Sequence, residues 1–135
     1  MSQDGYHFAY ADGMPFRQIG TTCYSWALQS DAKCAQTLET LKAAPFNKMR
    51  MLVTPIVESV ATNPYVRTGK GPRDWDATRF DPDYFRRYED RIAKLGALGI
   101  EADVILFHPY DETRGYNDMK RADDERFVRY CAARW

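Results

Sequence analysis

Three short apolar runs, at 17–22, 48–55 and 100–107, are separated by two stretches with helical periodicity. That order constrains the chain more than any other feature. Strands joined through helices pair in parallel by right-handed crossovers. "RQIGTT" (17–22) ends in two threonines, "KMRMLVTP" (48–55) alternates and then becomes continuously apolar, and "IEADVILF" (100–107) reads as a strand covered on both faces. A first helix is expected from Asp31, a plausible N-cap, to about Ala43. Cys34, Leu38 and Leu41 lie on one face of it and Pro45 stops it. The second begins at "FDPDYF" (80–85), where Asp81 caps, Pro82 suits the first helical position and Asp83 meets the positive end of the dipole. Its stripe is Tyr84, Phe85, Tyr88, Ile92 and Leu95, and Gly99 follows as the terminating C′ residue. A third helix is expected from about Ala122, burying Phe127, Tyr130 and Cys131.

Ahead of this pattern, "FAYADGMPF" (8–16) places Asp12-Gly13 between alternating residues, the mark of a hairpin closed by a tight primed turn. The organisation is a hairpin over 8–18 followed by three βα units over 19–135, in one domain that is incomplete as it stands. Two architectures fit: a small open doubly wound sheet, or the N-terminal portion of a (β/α)8 TIM barrel, whose full form takes about 250 residues. A three-stranded parallel sheet leaves two edges unpaired, which favours the barrel portion. So does the longest connector, 55–80, which follows a strand and has no clear period. Loops beyond about 15 residues are usually functional, and loops after strands build the active face of a barrel.

Nineteen basic residues balance nineteen acidic ones, so nucleic acid and anionic membranes are not expected partners. No apolar run approaches a membrane span. "MSQDGYHF" has no basic region followed by an apolar one, so a cytoplasmic location is expected. Cys23, Cys34 and Cys131 form no CxxC pair and read as reduced thiols at core or near-core positions. With only His7 and His108, no metal site is expected. "RTGKGP" (67–72) is not a phosphate loop and no GxSxG elbow is present, so no cofactor is expected either.

The unusual polar and aromatic residues all follow strand ends: Thr22, Tyr24 and Trp26 after the first, Tyr65, Arg67, Trp75 and Asp76 in the long connector, and His108, Tyr110 and Asp111 after the third. In a parallel α/β fold those ends converge where ligands bind. Rings that stack on C–H faces beside groups that read hydroxyls suit a sugar. Each has a structural alternative. His108 could bond a backbone carbonyl, Asp111 could cap a turn, Trp26 and Trp75 could pin loops, and Glu58 could be merely solvated.

The segments "FAYADGMPFRQIGTTCYSW", "TLETLKAAPFNKMRMLV", "WDATRFDPDYFRRYEDRIAKLGALGIEADVILFHPYD" and "ADDERFVRYCAARW" together resemble the apiosidase-like glycoside hydrolases over residues 8–135. The resemblance implies a (β/α)8 barrel and retaining glycosidase chemistry with two carboxylates. The acid/base would follow strand four as an Asn-Glu pair, and the nucleophile would lie near strand seven. This sequence has no Asn-Glu pair and reaches no fourth strand. The resemblance therefore implies that both carboxylates lie beyond residue 135, that no catalytic residue falls within the chain, and that this portion alone is inactive. What carries over is the substrate lining: Thr22, Tyr24, Trp26, His108, Tyr110 and Asp111. Trp75 is added from the connector. Covering the sheet edges would need the rest of the barrel or a partner chain. The alternative expectation is a self-contained carbohydrate-binding or interaction module without catalysis. A third is a small hydrolase using Asp111 with Glu58 or Asp76.

Overall fold

The computed structural model describes residues 5–56, 62–108 and 112–135. Its elements are β1 (Phe8–Ala9), β2 (Pro15–Phe16), β3 (Gly20–Thr22), α1 (Asp31–Lys42), β4 (Lys48–Leu52), β5 (Tyr65–Arg67), β6 (Trp75–Phe80), α2 (Pro82–Gly96), β7 (Glu101–Ile105) and α3 (Arg121–Arg134). Two 3₁₀ turns, Trp26–Leu28 and Tyr116–Asp118, sit in the connections. The mixed α/β order anticipated from the sequence is present.

β3, β4 and β7 form one parallel sheet in that order, with Thr22, Arg50 and Asp103 level across it. Strand order follows chain order, and residues of all three helices join a single core cluster with Met49 and Met51 of the middle strand and Val53 just after it. The helices therefore cover one face. A doubly wound sheet would place helices on both faces. Among the described residues the sheet stays open and closes no barrel. The expectation that "VILF" is covered on both sides is met on one side only: Val104 and Leu106 pack against the core, whereas Ile105 lies outside that cluster.

Local chemistry explains the helices. Asp81 Oδ1 accepts from the Asp83 and Tyr84 amides, and Pro82 opens α2 as anticipated. At its C-terminus Gly99, at φ +73°, lets the Ile100 amide reach back to the Leu95 carbonyl and its own amide to Gly96, turning the chain into β7. Tyr84, Phe85, Tyr88 and Leu95 are buried. The anticipated cap of α1 shifts by one residue. Ser30, not Asp31, has the extended backbone and accepts from the Lys33 amide, which leaves Asp31 in the first turn. There Asp31 pairs with the buried guanidinium of Arg91 on α2, and Arg134 on α3 makes a two-pronged pair with Glu89 on α2. These ion pairs join the helices in the order α1–α2–α3.

Two local expectations change. The 8–16 hairpin forms, with β1 and β2 antiparallel. Its loop is not a primed two-residue turn, because among the described residues no non-glycine residue has positive φ. Instead the Gly13 amide bonds the Tyr10 carbonyl, and Gly13 alone, at φ +85°, turns the chain so that the Tyr10 amide meets the Met14 carbonyl. That is the three-residue loop with a glycine bulge. The connector 55–80 is not featureless either. β5 and β6 pair antiparallel within it, with a register shift after Tyr65, where Asp76 Oδ1 accepts from both the amide and the hydroxyl of Thr78. Arg67 and Asp74 close the turn between them: the Arg67 guanidinium donates to the Gly71 carbonyl, and the Gly71 amide donates to Asp74 Oδ2 at 2.7 Å.

Candidate functional site

The C-terminal ends of the three parallel strands define one rim. Thr22 ends β3 and Tyr24 follows it. Both are exposed, and the Tyr24 carbonyl accepts from the Leu52 amide, which ties that connection to β4. Beyond β4 the chain continues the ladder, with the Val53 amide donating to the Ile105 carbonyl, and Thr54 follows as a buried polar residue. Two tyrosines of α2 finish this end. Tyr84 donates its hydroxyl to the Val53 carbonyl, and Tyr88 donates to the Leu52 carbonyl at 3.0 Å. Burial pushes both phenols well above their ordinary pKa, so they remain neutral donors. They satisfy carbonyls that a strand end would otherwise bury unpaired.

A cleft of about 350 Å³ opens at this rim, lined by Thr54, Phe107, His108, Tyr116, Asn117 and Asp124. That volume suits a small ligand. The His108 Nε2 is buried and has no hydrogen-bond partner among the described residues. Such a group costs about 1–3 kcal/mol unless something completes it. Asp124 sits in the first turn of α3, where the helix dipole favours a carboxylate. Burial, and then the negative charge of Asp123, nevertheless raise its pKa above the ordinary value. Facing the cleft, then, are a ring nitrogen without a described partner, an amide, a hydroxyl and a carboxyl group, together with the aromatic rings of Phe107 and Tyr116.

The sheet face opposite the helices is charged. Asp103 receives Arg50 at 2.9 Å and Lys48 at 3.3 Å. Burial works against the Asp103 carboxylate, but the hydrogen bonds and charges of Arg50 and Lys48 outweigh it and lower its pKa.

The family model for the apiosidase-like catalytic domain matches residues 2–135. The chain belongs to that family. This apiosidase-like chain also superposes on the crystal structure, at 1.80 Å resolution, of a protein from Bacteroides vulgatus ATCC 8482 assigned as a glycoside hydrolase. The TM-score is 0.86 at 35% identity, and the match covers 99% of this chain but 30% of that one. The apiosidase-like chain thus spans under a third of that protein's length. No curated protein matches it.

The residues anticipated as substrate lining of the apiosidase-like domain fall into three groups. Thr22, Tyr24 and His108 stand at the rim. Trp26 and Trp75 are pinned instead. Trp26 is 1% exposed within the core. Trp75 stacks on Tyr65 at 4.9 Å and donates its Nε1 to the Arg114 carbonyl at 2.8 Å. Tyr110 and Asp111 lie outside the described residues, as does Glu58. Asp76 is engaged by Thr78, whose hydrogen bonds hold its carboxyl below the usual range. Sequence reasoning missed Thr54, Asn117 and Asp124. Thr54 carried a signal, since it directly follows an apolar strand end. Asn117 and Asp124 did not, because their place in the cleft depends on a 3₁₀ turn that no periodicity marks.

Proposed function

We propose that this chain is the N-terminal part of an apiosidase-like glycoside hydrolase and lines one side of its sugar subsite. Thr22, Tyr24 and His108, together with Tyr110 and Asp111 further along the sequence, read the substrate's hydroxyl groups. In this reading the strand ends belong to a (β/α)8 barrel. The free edges of β3 and β7 and the charged face of the sheet are covered by the rest of that barrel or by a partner chain. Two carboxylates contributed from outside these 135 residues perform the cleavage. One protonates the leaving glycosidic oxygen. The other attacks the anomeric carbon, and water then releases the sugar with the first group acting as base. By itself the chain binds without turning over. The one-sided winding of the helices, the family match and the 30% coverage of a longer glycoside hydrolase chain support this reading.

The observation that carries it is the buried His108 Nε2, which has no partner among the described residues and lines a polar and aromatic cleft at the strand ends. A ligand hydroxyl would complete it. The test is to titrate the 135-residue chain with a panel of methyl glycosides while following its resonances by NMR, and to assay aryl glycosides for release of the aglycone. Saturable perturbation of His108, Thr54 and Tyr24, lost in His108→Ala, with no aglycone release, is the expected result. Turnover by this chain alone would overturn the placement of both carboxylates outside it. Binding that leaves His108 unmoved would overturn the subsite.

A further inference from the structure

The β5–β6 hairpin and the turn at Glu112–Asp118 belong to different connections, one following β4 and the other following β7, and besides the Trp75 indole, which bonds the Arg114 carbonyl, a charged side chain spans them. Arg73, in the turn of the hairpin, donates Nη1 to Asp118 Oδ2 at 2.7 Å and Nη2 to the Glu112 carbonyl. The guanidinium lies directly over Gly115, where a Cβ would meet Nη1 at 3.4 Å and Cζ at 3.5 Å. Gly115 stands at φ +75°, a backbone state that suits glycine, and opens the 3₁₀ turn carrying Tyr116 and Asn117. Both of those residues line the cleft at the strand ends. A planar fork that engages two acceptors fixes orientation as well as distance, which an ammonium cannot do.

We propose that Arg73 is a positioning residue for the cleft. It transfers the fixed geometry of the β5–β6 hairpin to the wall formed by Tyr116 and Asn117. The inference concerns the shape of the cleft and holds whatever ligand the cleft takes, so it stands apart from the hydrolase reading. It also separates positioning from stability. The side chains of Arg73 and Asp118 are 55% and 59% exposed, and an exposed ion pair contributes little to folding. The anchoring of the hairpin itself rests on Trp75 and Tyr65, packed against Tyr116 and Phe127.

The experiment compares ¹⁵N-labelled parent chain with Arg73→Ala and Arg73→Lys, reading the Tyr116 and Asn117 amides, the His108 ring and the melting temperature. In Arg73→Ala those resonances should shift while those of α1 stay in place, and Tm should fall by no more than about 5 °C. Arg73→Lys should restore the amides beside Asp118 and leave displaced those beside Glu112. Unmoved cleft resonances in Arg73→Ala would overturn the proposal. Complete restoration by lysine would overturn it too, by reducing Arg73 to a point charge, as would a uniform spectral change with a large loss of Tm. Should Arg73→Ala fail to fold, Asp118→Ala decides. This variant removes the acceptor of Nη1 and keeps Arg73, and a displaced Tyr116 amide supports the proposal while an unmoved one refutes it.

Discussion

On β4, Met49 and Met51 are fully buried, while Arg50 between them has half of its side chain in solvent. The two faces of the parallel sheet thus rest on different physics. Under the helices, a contiguous cluster of aromatic and aliphatic side chains removes apolar surface from water, an effect that is insensitive to salt and to pH. On the other face Lys48, Arg50 and Asp103 form a charged group level with Thr22. Its strength depends on screening and protonation. Parallel sheets are ordinarily covered on both faces. The difference teaches that one face holds the fold by burial, whereas the other rests on ion pairs that stay partly in solvent.

The largest effect should come from the buried face. Phe85 is fully buried and its ring meets Tyr84, Phe80, Tyr130 and Trp135. Phe85→Ala should cost about 3–5 kcal/mol in denaturant unfolding. A cost near that of a surface change would break the claim that this face holds the fold. Next, Tyr84→Phe and Tyr88→Phe should each cost roughly 1–2 kcal/mol, since each leaves a strand-end carbonyl without its donor. Thermal melts of the two single variants check this. A neutral result would mean that these carbonyls find another partner.

The two faces also differ in how far the sequence disclosed them. The helices and parallel strands were legible because their periods are long and their punctuation strong: Asp81-Pro82 at one end of α2 and Gly99 at the other left little choice. The β5–β6 hairpin was not read, although "YVR" and "WDATRF" flank a turn rich in glycine and proline. The three-residue strand and the Asp76–Thr78 bulge interrupt the alternation that marks a pair. At the rim, Thr22, Tyr24 and His108 were legible from their position after strands. Trp26 and Trp75 were read as equally suited to pinning loops and to stacking on a ligand, since an aromatic after a strand can turn inward as readily as outward. Only the packed structure tells which. Asp103 and Arg50 were passed over because they lie fifty-three residues apart and meet only through strand register.

On the charged face, Asp103→Asn should cost up to about 1 kcal/mol at neutral pH, given how exposed Arg50 is. The sign follows from the lowered pKa of Asp103. The stabilisation is complete above the unfolded carboxylate value of about 3.9 and is lost as pH falls through the lower folded value. Melts of parent and variant should therefore differ at pH 7, converge in acid below the folded value, and approach one another in about 1 M salt. A gap that persists in acid would mean that Asp103 acts through packing, which would make the two faces alike.

The smallest effect, of opposite sign, belongs to the cleft. The pKa of Asp124 is raised by burial and by the charge of Asp123, so the folded state holds its proton more tightly than the unfolded chain does. The resulting penalty is absent below the unfolded value, grows as pH rises through the folded one, and stays constant above it. Asp124→Asn removes the penalty but also gives up a favourable carboxylate at the start of α3, a contribution of about 0.3–1 kcal/mol in the other direction. If the raised pKa sets the sign, the net change at pH 7 should be a gain of less than about 1 kcal/mol, vanishing in acid. A variant less stable than the parent at neutral pH would reverse that sign. It would mean that the favourable helix-start position of Asp124 outweighs the cost of burying its charge beside Asp123.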